Sequence, residues 1–253
     1  MGVLDPLKSE LDLWAANDEV ATLWWRDDDA EEPTDGIRRM LELSHGTGAT
    51  VVIAVVPAKA QDALAPMLLE CPTATLVQHG YAHRDHSPGD VKGKWELGLH
   101  RPLEAILDEL QRGWVRMSDL FGSRARPMMV PPWNRIAPGV VGELAGAGYT
   151  TLSTFGPRKS AEAAPGLRWV STHCDVIAWK RDRTFIGAGK TAARLVEHLR
   201  ARRLGEVDAD EPTGLLTHVW ANDEEAWNAL GAVLELVTNH PGGRWLDQAG
   251  LGL

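Results

Sequence analysis

The sequence predicts an α/β fold: one domain over residues 1–253, an irregular (β/α) barrel of about seven parallel strands, TIM-barrel-like. Three observations carry this. Short apolar, β-branched runs recur along the chain. Amphipathic helical patterns sit between most of them. The 253 residues contain no repeat, low-complexity tract or linker-length loop, so they fit one large core. An open doubly wound sheet is the alternative. In either fold the ligand site lies at the C-terminal ends of the strands.

The strand runs are ATLWWR (21–26), ATVVIAVV (49–56), TATLVQ (73–78), PMMV (127–130), YTTLST (149–154), CDVIAW (174–179) and GLLTHVW (214–220). Each reads as a buried strand. DPLKSELDLWAAN reads as a helix capped at Asp5 with Pro6 in its first turn. DGIRRMLELSHG starts at Asp35, and RPLEAILDELQRGWVRMSDLFG ends at Gly122. APGVVGELAGAG, AARLVEHLRARR and DEEAWNALGAVLELVTNH follow the same spacing. Loops are expected near 156–168 and 205–213.

Composition narrows the partners. A net charge of −9 argues against nucleic acid or anionic membrane as a main partner. Cys71 and Cys174 form no CxxC pair, so two reduced, buried thiols are expected rather than a disulfide framework or thiolate zinc site. MGVLDPLKSE has no basic n-region or apolar h-region, and no apolar run is long enough for a bilayer, so a cytoplasmic location is expected. Eleven tryptophans against three phenylalanines suit either a tryptophan-rich core or a cleft that stacks on flat or sugar-like ligands. Oligomeric state is not legible.

The polar residues at the strand ends are unusual. The first strand runs into Asp27, Asp28 and Asp29, three like charges whose repulsion a bound cation would offset. The third ends in QHGYAHRDH, with His79, His83 and His86. Two imidazoles and a carboxylate make a facial set for a divalent metal such as zinc, cobalt, nickel or manganese. HxxxH alone arises easily by chance; the strand-end carboxylates are what raise its weight. VPPWN fixes two φ angles and presents the Trp133 N–H rigidly, as a plain turn or as an oxyanion donor. Asp175 and Trp179 lie on the sixth run, His218 on the seventh.

Taken together, these stretches resemble the polysaccharide deacetylase (NodB-homology) family, carbohydrate esterase family four, across residues 20–220. WRDDD matches its TFDDG motif, with Thr34 as a counterpart of the family's later threonine. That register implies Asp27 as general base, Asp28 as metal ligand and Asp29 in a glycine slot. A slip of one residue makes Asp28 the base and Asp29 the ligand. HGYAH matches H-x-x-x-H and implies His79 and His83 as the other ligands. VPPWN matches RPPYG only in its Pro-Pro centre: Trp133 is implied as the oxyanion donor, with Pro132 and Asn134 beside it. Val130 stands where an arginine orients the base, leaving Arg26 as a substitute. DVIAWK supplies Asp175 and Trp179, with Ala178 where an acid is common. LLTH implies His218 as general acid, oriented by Asp175.

The resemblance implies metal-assisted removal of an acetyl or similar acyl group from an N- or O-acetylated carbohydrate, most simply with zinc. Tyr81, Trp133, Trp179 and Trp220 either wall a sugar pocket or pack in the core. His86 and Glu96 either face the site or stand at the surface. Three other functions compete: an amidohydrolase for a small non-sugar amide or cyclic ureide, a metal-free glycosidase with paired carboxylates, and a carbohydrate-binding relic without catalysis.

Overall fold

The computed structural model describes residues 2–253. In chain order it runs α1 (Asp5–Ala16), β1 (Ala21–Ala30), α2 (Asp35–Thr47), β2 (Val51–Val55), α3 (Leu64–Leu69), β3 (Ala74–His79), α4 (Leu103–Phe121), β4 (Ala125–Val130), α5 (Pro138–Leu144) and β5 (Thr151–Leu152). It continues with β6 (Glu162–Ala164), β7 (Leu167–Trp169), β8 (Cys174–Asp175), α6 (Ala188–Arg203), β9 (Thr213–Thr217), α7 (Glu224–Asn239), β10 (Gly243–Trp245) and α8 (Gln248–Leu251).

The strands form one sheet in the order β6-β7-β5-β4-β3-β2-β1-β9-β8, with β10 beside the start of β1. Only β6 runs antiparallel, in a hairpin with β7. The two ends of this path are close in sequence: β7 and β8 belong to one segment, 167–175. On one side of it, Val170 N–H donates to Leu152 O (3.0 Å) and Thr172 N–H to Thr154 O (2.9 Å). On the other, His173 N–H donates to Gly214 O (2.8 Å). The segment therefore closes the sheet. β1 to β5, the 167–175 segment and β9 make seven parallel staves, the barrel expected.

The lumen is filled from β1, β2, β3, β4 and the closing segment by Trp24, Val52, Ala54, Val77, Met128, Val130 and Val170, with Leu251 of α8 joining them. Trp24 donates its indole N–H to Ser171 O across the lumen (3.1 Å). A larger apolar layer, including Trp25, Ile53, Leu76, Leu215 and Leu230, packs the staves against the helices. The pleat decides which residue goes where, because successive side chains point to opposite faces.

Several boundaries differ from expectation. β1 continues through the aspartate triplet to Ala30. CDVIAW forms a regular strand only at Cys174–Asp175, where the Asp175 carboxylate turns back to accept the Ile177 N–H (2.9 Å); beyond it Val176 N–H donates to Leu216 O (3.1 Å) and Ile177 makes an isolated antiparallel bridge to Phe185. The 156–168 loop holds the β6–β7 hairpin, turned at Gly166 with φ +74°. α2 is capped by Thr34, whose Oγ1 accepts the Ile37 N–H (3.2 Å), and not by Asp35. Asp5 likewise lies in the first turn of α1 rather than at its cap. Both cysteines are free and buried. Among the described residues, no helix is long and apolar enough to cross a membrane.

Candidate metal centre and active site

β1 carries all three aspartates, and its geometry separates them. Trp24, Arg26 and Asp28 share the lumen face; Trp25 and Asp27 share the helix face. Asp27 is fully buried there. It accepts the Thr217 hydroxyl (2.6 Å), and Thr217 in turn accepts the Trp25 indole N–H (2.8 Å). Burial pushes the Asp27 carboxyl up to about 8, against the opposing Thr217 hydrogen bond. Beyond Asp27 the pairing with β2 slips, and Asp29 adopts a left-handed φ of +72°. Such a bulge re-aims a side chain.

It aims Asp29 at the histidines. Asp29 Oδ1 lies 3.2 Å from His79 Nε2 and 3.2 Å from His83 Nε2. His79 ends β3, and its Nδ1 lies 3.0 Å from Val130 O. A carbonyl only accepts, so Nδ1 carries the proton and Nε2 presents its lone pair to the triad. The second carboxylate oxygen, Oδ2, accepts the Trp220 indole N–H (3.2 Å). Oδ1 is buried without a hydrogen-bond partner among the described residues. One orphaned carboxylate oxygen and two convergent Nε2 atoms fit a divalent cation with open positions left for solvent or substrate. Burial alone would raise the Asp29 carboxyl, but without an ion, contact with His79 and the charges of His79, His218 and His83 in their protonated forms would hold it well below the carboxylate range.

Asp28, expected in this set, is elsewhere. It meets Arg26, whose Nε lies 2.8 Å from Oδ1 and whose Nη2 donates to Oδ2 (3.0 Å). Arg26 is wholly buried and also donates to Ser153 Oγ (2.6 Å) and Asn134 Oδ1 (2.7 Å). The structure therefore places Asp29, and not Asp28, beside the two histidines, the arrangement that the one-residue slip of the register gives. The alternating pleat turns Asp27 outward and Asp28 inward, and the bulge delivers Asp29 to the histidines. Arg26 stands over Asp28 while Val130, at the arginine position of the resemblance, is an apolar lumen residue.

His218 follows β9 at the same rim. Its ring is edge-on to Trp179 (centroids 5.0 Å apart) and lies 5.9 Å from that of Trp220. Its Nδ1 is buried without a hydrogen-bond partner among the described residues. Asp175 does not hydrogen-bond to it: the carboxylate is engaged by the Ile177 N–H and by the Trp179 indole N–H (2.5 Å). Burial raises the Asp175 carboxyl and the nearby His218 charge opposes this. Trp179 and Trp220 are solvent-exposed, at 43% and 52%, so they are available to a ligand. A cleft of about 410 Å³ opens beside the triad, bordered by Asp29, His83, Glu32, Thr34, Val219 and Trp220.

The remaining expected residues divide. Trp133 packs its ring on His83 (centroids 4.5 Å) with Lys94 above it (5.7 Å). Pro132 is buried and Asn134 holds Arg26. Tyr81 is engaged by Arg112, whose guanidinium lies 4.9 Å over its ring, rather than packing on the triad. His86 pairs its backbone N–H with Trp95 O (2.8 Å) in the loop after β3. Glu96, a surface acid on one reading of the sequence, is completely buried. Of the six non-glycine residues with positive φ among the described residues, four are Asp29, His83, Trp133 and Asn134. Backbone strain of this kind persists where surrounding structure enforces it and clusters at functional sites.

Ser153, Thr217 and the Val130 carbonyl escaped the sequence reading. Ser153 and Thr217 lay within runs read as strands, but alternation gives no hint of which partner each meets. A second His–carboxylate group was also missed: His173, His198 and Glu211. It does not suit a metal. The two rings are stacked 3.3 Å apart and 13° from parallel, so their lone pairs run side by side instead of converging. His173 Nδ1 also accepts the Gly214 N–H (3.0 Å), which puts its proton on Nε2, facing Glu211.

No family model matches the chain, and no curated protein matches it. Solved structures do. A proposed polysaccharide deacetylase from Mycobacterium smegmatis superposes with a TM-score of 0.68 at 15% identity, covering 92% of this chain and 88% of that one. A family 4 carbohydrate esterase from Streptomyces lividans, in complex with acetate, gives 0.54 at 13% identity over 86% and 88%. The fold is that of the family 4 carbohydrate esterases. A mutant of a pseudoenzyme of this esterase family, with restored enzymatic activity, also matches: 0.53 at 15% identity, covering 86% of this chain and 62% of that one. The esterase fold thus does not by itself decide catalysis; the residues of the site do.

Proposed function

We propose that the chain is a metal-dependent hydrolase that removes an acetyl or similar acyl group from an N- or O-acetylated carbohydrate. The observation that carries this reading is the convergence of Asp29 Oδ1 with His79 and His83 Nε2 beside a second carboxylate, Asp28, held by Arg26. Asp29, His79 and His83 would hold the ion, with zinc the simplest choice for two imidazoles and one carboxylate. A divalent ion there supplies Lewis acidity, polarising the acyl carbonyl and making water acidic enough to attack near neutral pH.

The other roles belong to the chain. Asp28 accepts the proton of the attacking water, and its two-point pairing with the Arg26 guanidinium fixes its direction. His218 protonates the departing amine or alcohol. The Trp133 N–H, set by Pro131 and Pro132, donates to the oxygen on which negative charge develops. Trp179 and Trp220 offer exposed indole faces to a pyranose ring. The cleft beside the triad is of small-ligand size.

Metal content and turnover test the reading together. The wild-type protein should carry about one zinc-type ion and deacetylate N-acetylated sugars, losing activity to a chelator and regaining it with Zn²⁺. His79→Ala and His83→Ala should lose both. Turnover confined to small amides or ureides would move the substrate to a non-sugar compound. Chelator-insensitive glycoside cleavage would support the paired-carboxylate glycosidase, and sugar binding without turnover the relic. A wild-type protein without affinity for any divalent ion would sink the proposal.

A further inference from the structure

His83 is the one member of the triad that no regular element holds. His79 ends β3 and Asp29 lies in β1, but His83 sits in an irregular loop with φ +51°, three residues after Gly80 at φ +53°. A loop that turns at Gly80 and holds His83 in a strained conformation needs an external clamp to keep that imidazole in place.

The buried Glu96 carboxylate supplies one. Its Oε1 accepts the backbone N–H of Ala82 (2.8 Å) and of Arg84 (3.2 Å). Its Oε2 accepts the N–H of Tyr81 (3.0 Å). Three amides of the loop, on both sides of His83, therefore converge on one anion, an arrangement like the backbone nests that bind anions elsewhere. The fit is tight: a Cβ added to Gly80 would lie 2.0 Å from Glu96 Oε2 and 2.6 Å from Pro132 Cδ. Glu96 is itself anchored, since the next residue, Leu97, bridges to Ile136 and accepts the Ala137 N–H (2.9 Å). The clamp thus ties the histidine loop to the segment that follows Trp133.

We propose that Glu96 is a positioning residue for the metal centre: its carboxylate holds the 81–84 backbone so that His83 Nε2 faces Asp29 and His79. This rests on reading Asp29, His79 and His83 as the ligand set. Glu96 touches neither ion nor substrate. Its removal should release the loop and weaken the ion's hold, as loss of groups that orient metal ligands typically costs 10–100-fold in affinity.

Zn²⁺ affinity and backbone amide exchange, measured on the full chain, test it. Glu96→Ala should raise the Zn²⁺ dissociation constant about 10–100-fold, and Glu96→Gln by less, because its amide keeps one acceptor oxygen. In the metal-free protein, the amides of Tyr81, Ala82 and Arg84 should exchange faster in both variants, while those of β1 and β3 keep their protection. Glu96→Gln decides the matter if Glu96→Ala does not fold. Unchanged Zn²⁺ affinity in a folded variant overturns the proposal, as does unchanged exchange at the three amides. Failure of the metal reading looks different: the wild type then takes up no Zn²⁺, and exchange alone decides whether Glu96 clamps the loop.

Discussion

At the residue scale, three adjacent aspartates meet three environments. Asp27 is buried on the helix side against Thr217, Asp28 faces Arg26, and Asp29 meets His79 and His83. Three substitutions separate them. Asp28→Asn should lower kcat by about 10²–10⁴-fold, the span expected for loss of a general base, and leave bound metal in place. Asp27→Asn should retain near-wild-type turnover, because an amide keeps the oxygen that accepts the Thr217 hydroxyl. Asp29→Ala should strip the metal. Kinetics with metal analysis on the three purified variants checks this; an inactive Asp27→Asn that still binds Zn²⁺ would restore the other register. The triplet in the sequence pointed to a cation as what would offset its repulsion. Which aspartate meets the histidines depended on a bulge and one left-handed residue, which no propensity of aspartate foretells.

At the element scale, the stave that closes the barrel is pinned by polar contacts. His173 on that segment stacks on His198 of α6, and Glu211, ahead of β9, accepts the N–H groups of Arg158 (2.8 Å) and Ser171 (3.1 Å). Burial, followed by the neighbouring charges of His173 and Arg202, lowers His198 to about 2; burial also lowers His173, partly offset by Glu211. The sign follows directly. Folded pKa values lie below the unfolded value near 6.5, so between them the unfolded chain binds more protons and stability rises with pH. The contribution is complete above about pH 6.5 and is lost progressively as pH falls below it. Thermal unfolding from pH 7.5 to 5 should show a falling midpoint, with a shallower slope in His198→Gln. An identical slope in that variant would remove His198 from the account. The long helices α4 and α7 were legible because their apolar spacing repeats over many turns. β5 and β8 fell inside runs read as strands but are far shorter than those runs, and the β6–β7 hairpin went unread, because two- or three-residue pairings carry no period to detect.

At the scale of the molecule, the barrel brings to one rim groups that are almost 200 residues apart: Asp29 from β1, His79 and His83 from and after β3, Trp133 after β4, His218 after β9. An ion held there ties the loop after β3 to β1, so it should stabilise the whole fold. At a free Zn²⁺ concentration 100 times its dissociation constant, the wild type should gain about 2.7 kcal/mol. Calorimetry with and without Zn²⁺ should show an upward shift in Tm for the wild type and none for Asp29→Ala. An equal shift in that variant would place the ion at another site.

The sequence by itself determined the alternation of strands and helices, the parallel barrel, and the rim on which acids and histidines gather. These follow from local periodicity and from the rule that strand ends carry the site. Only the tertiary structure decided which aspartate faces the histidines, that Arg26 pairs with Asp28, and that Glu96 lies buried under the histidine loop. Each of these depends on a bulge, a closure or a contact between distant segments. Such contacts arise when staves pack side by side, and no local window of sequence contains both partners.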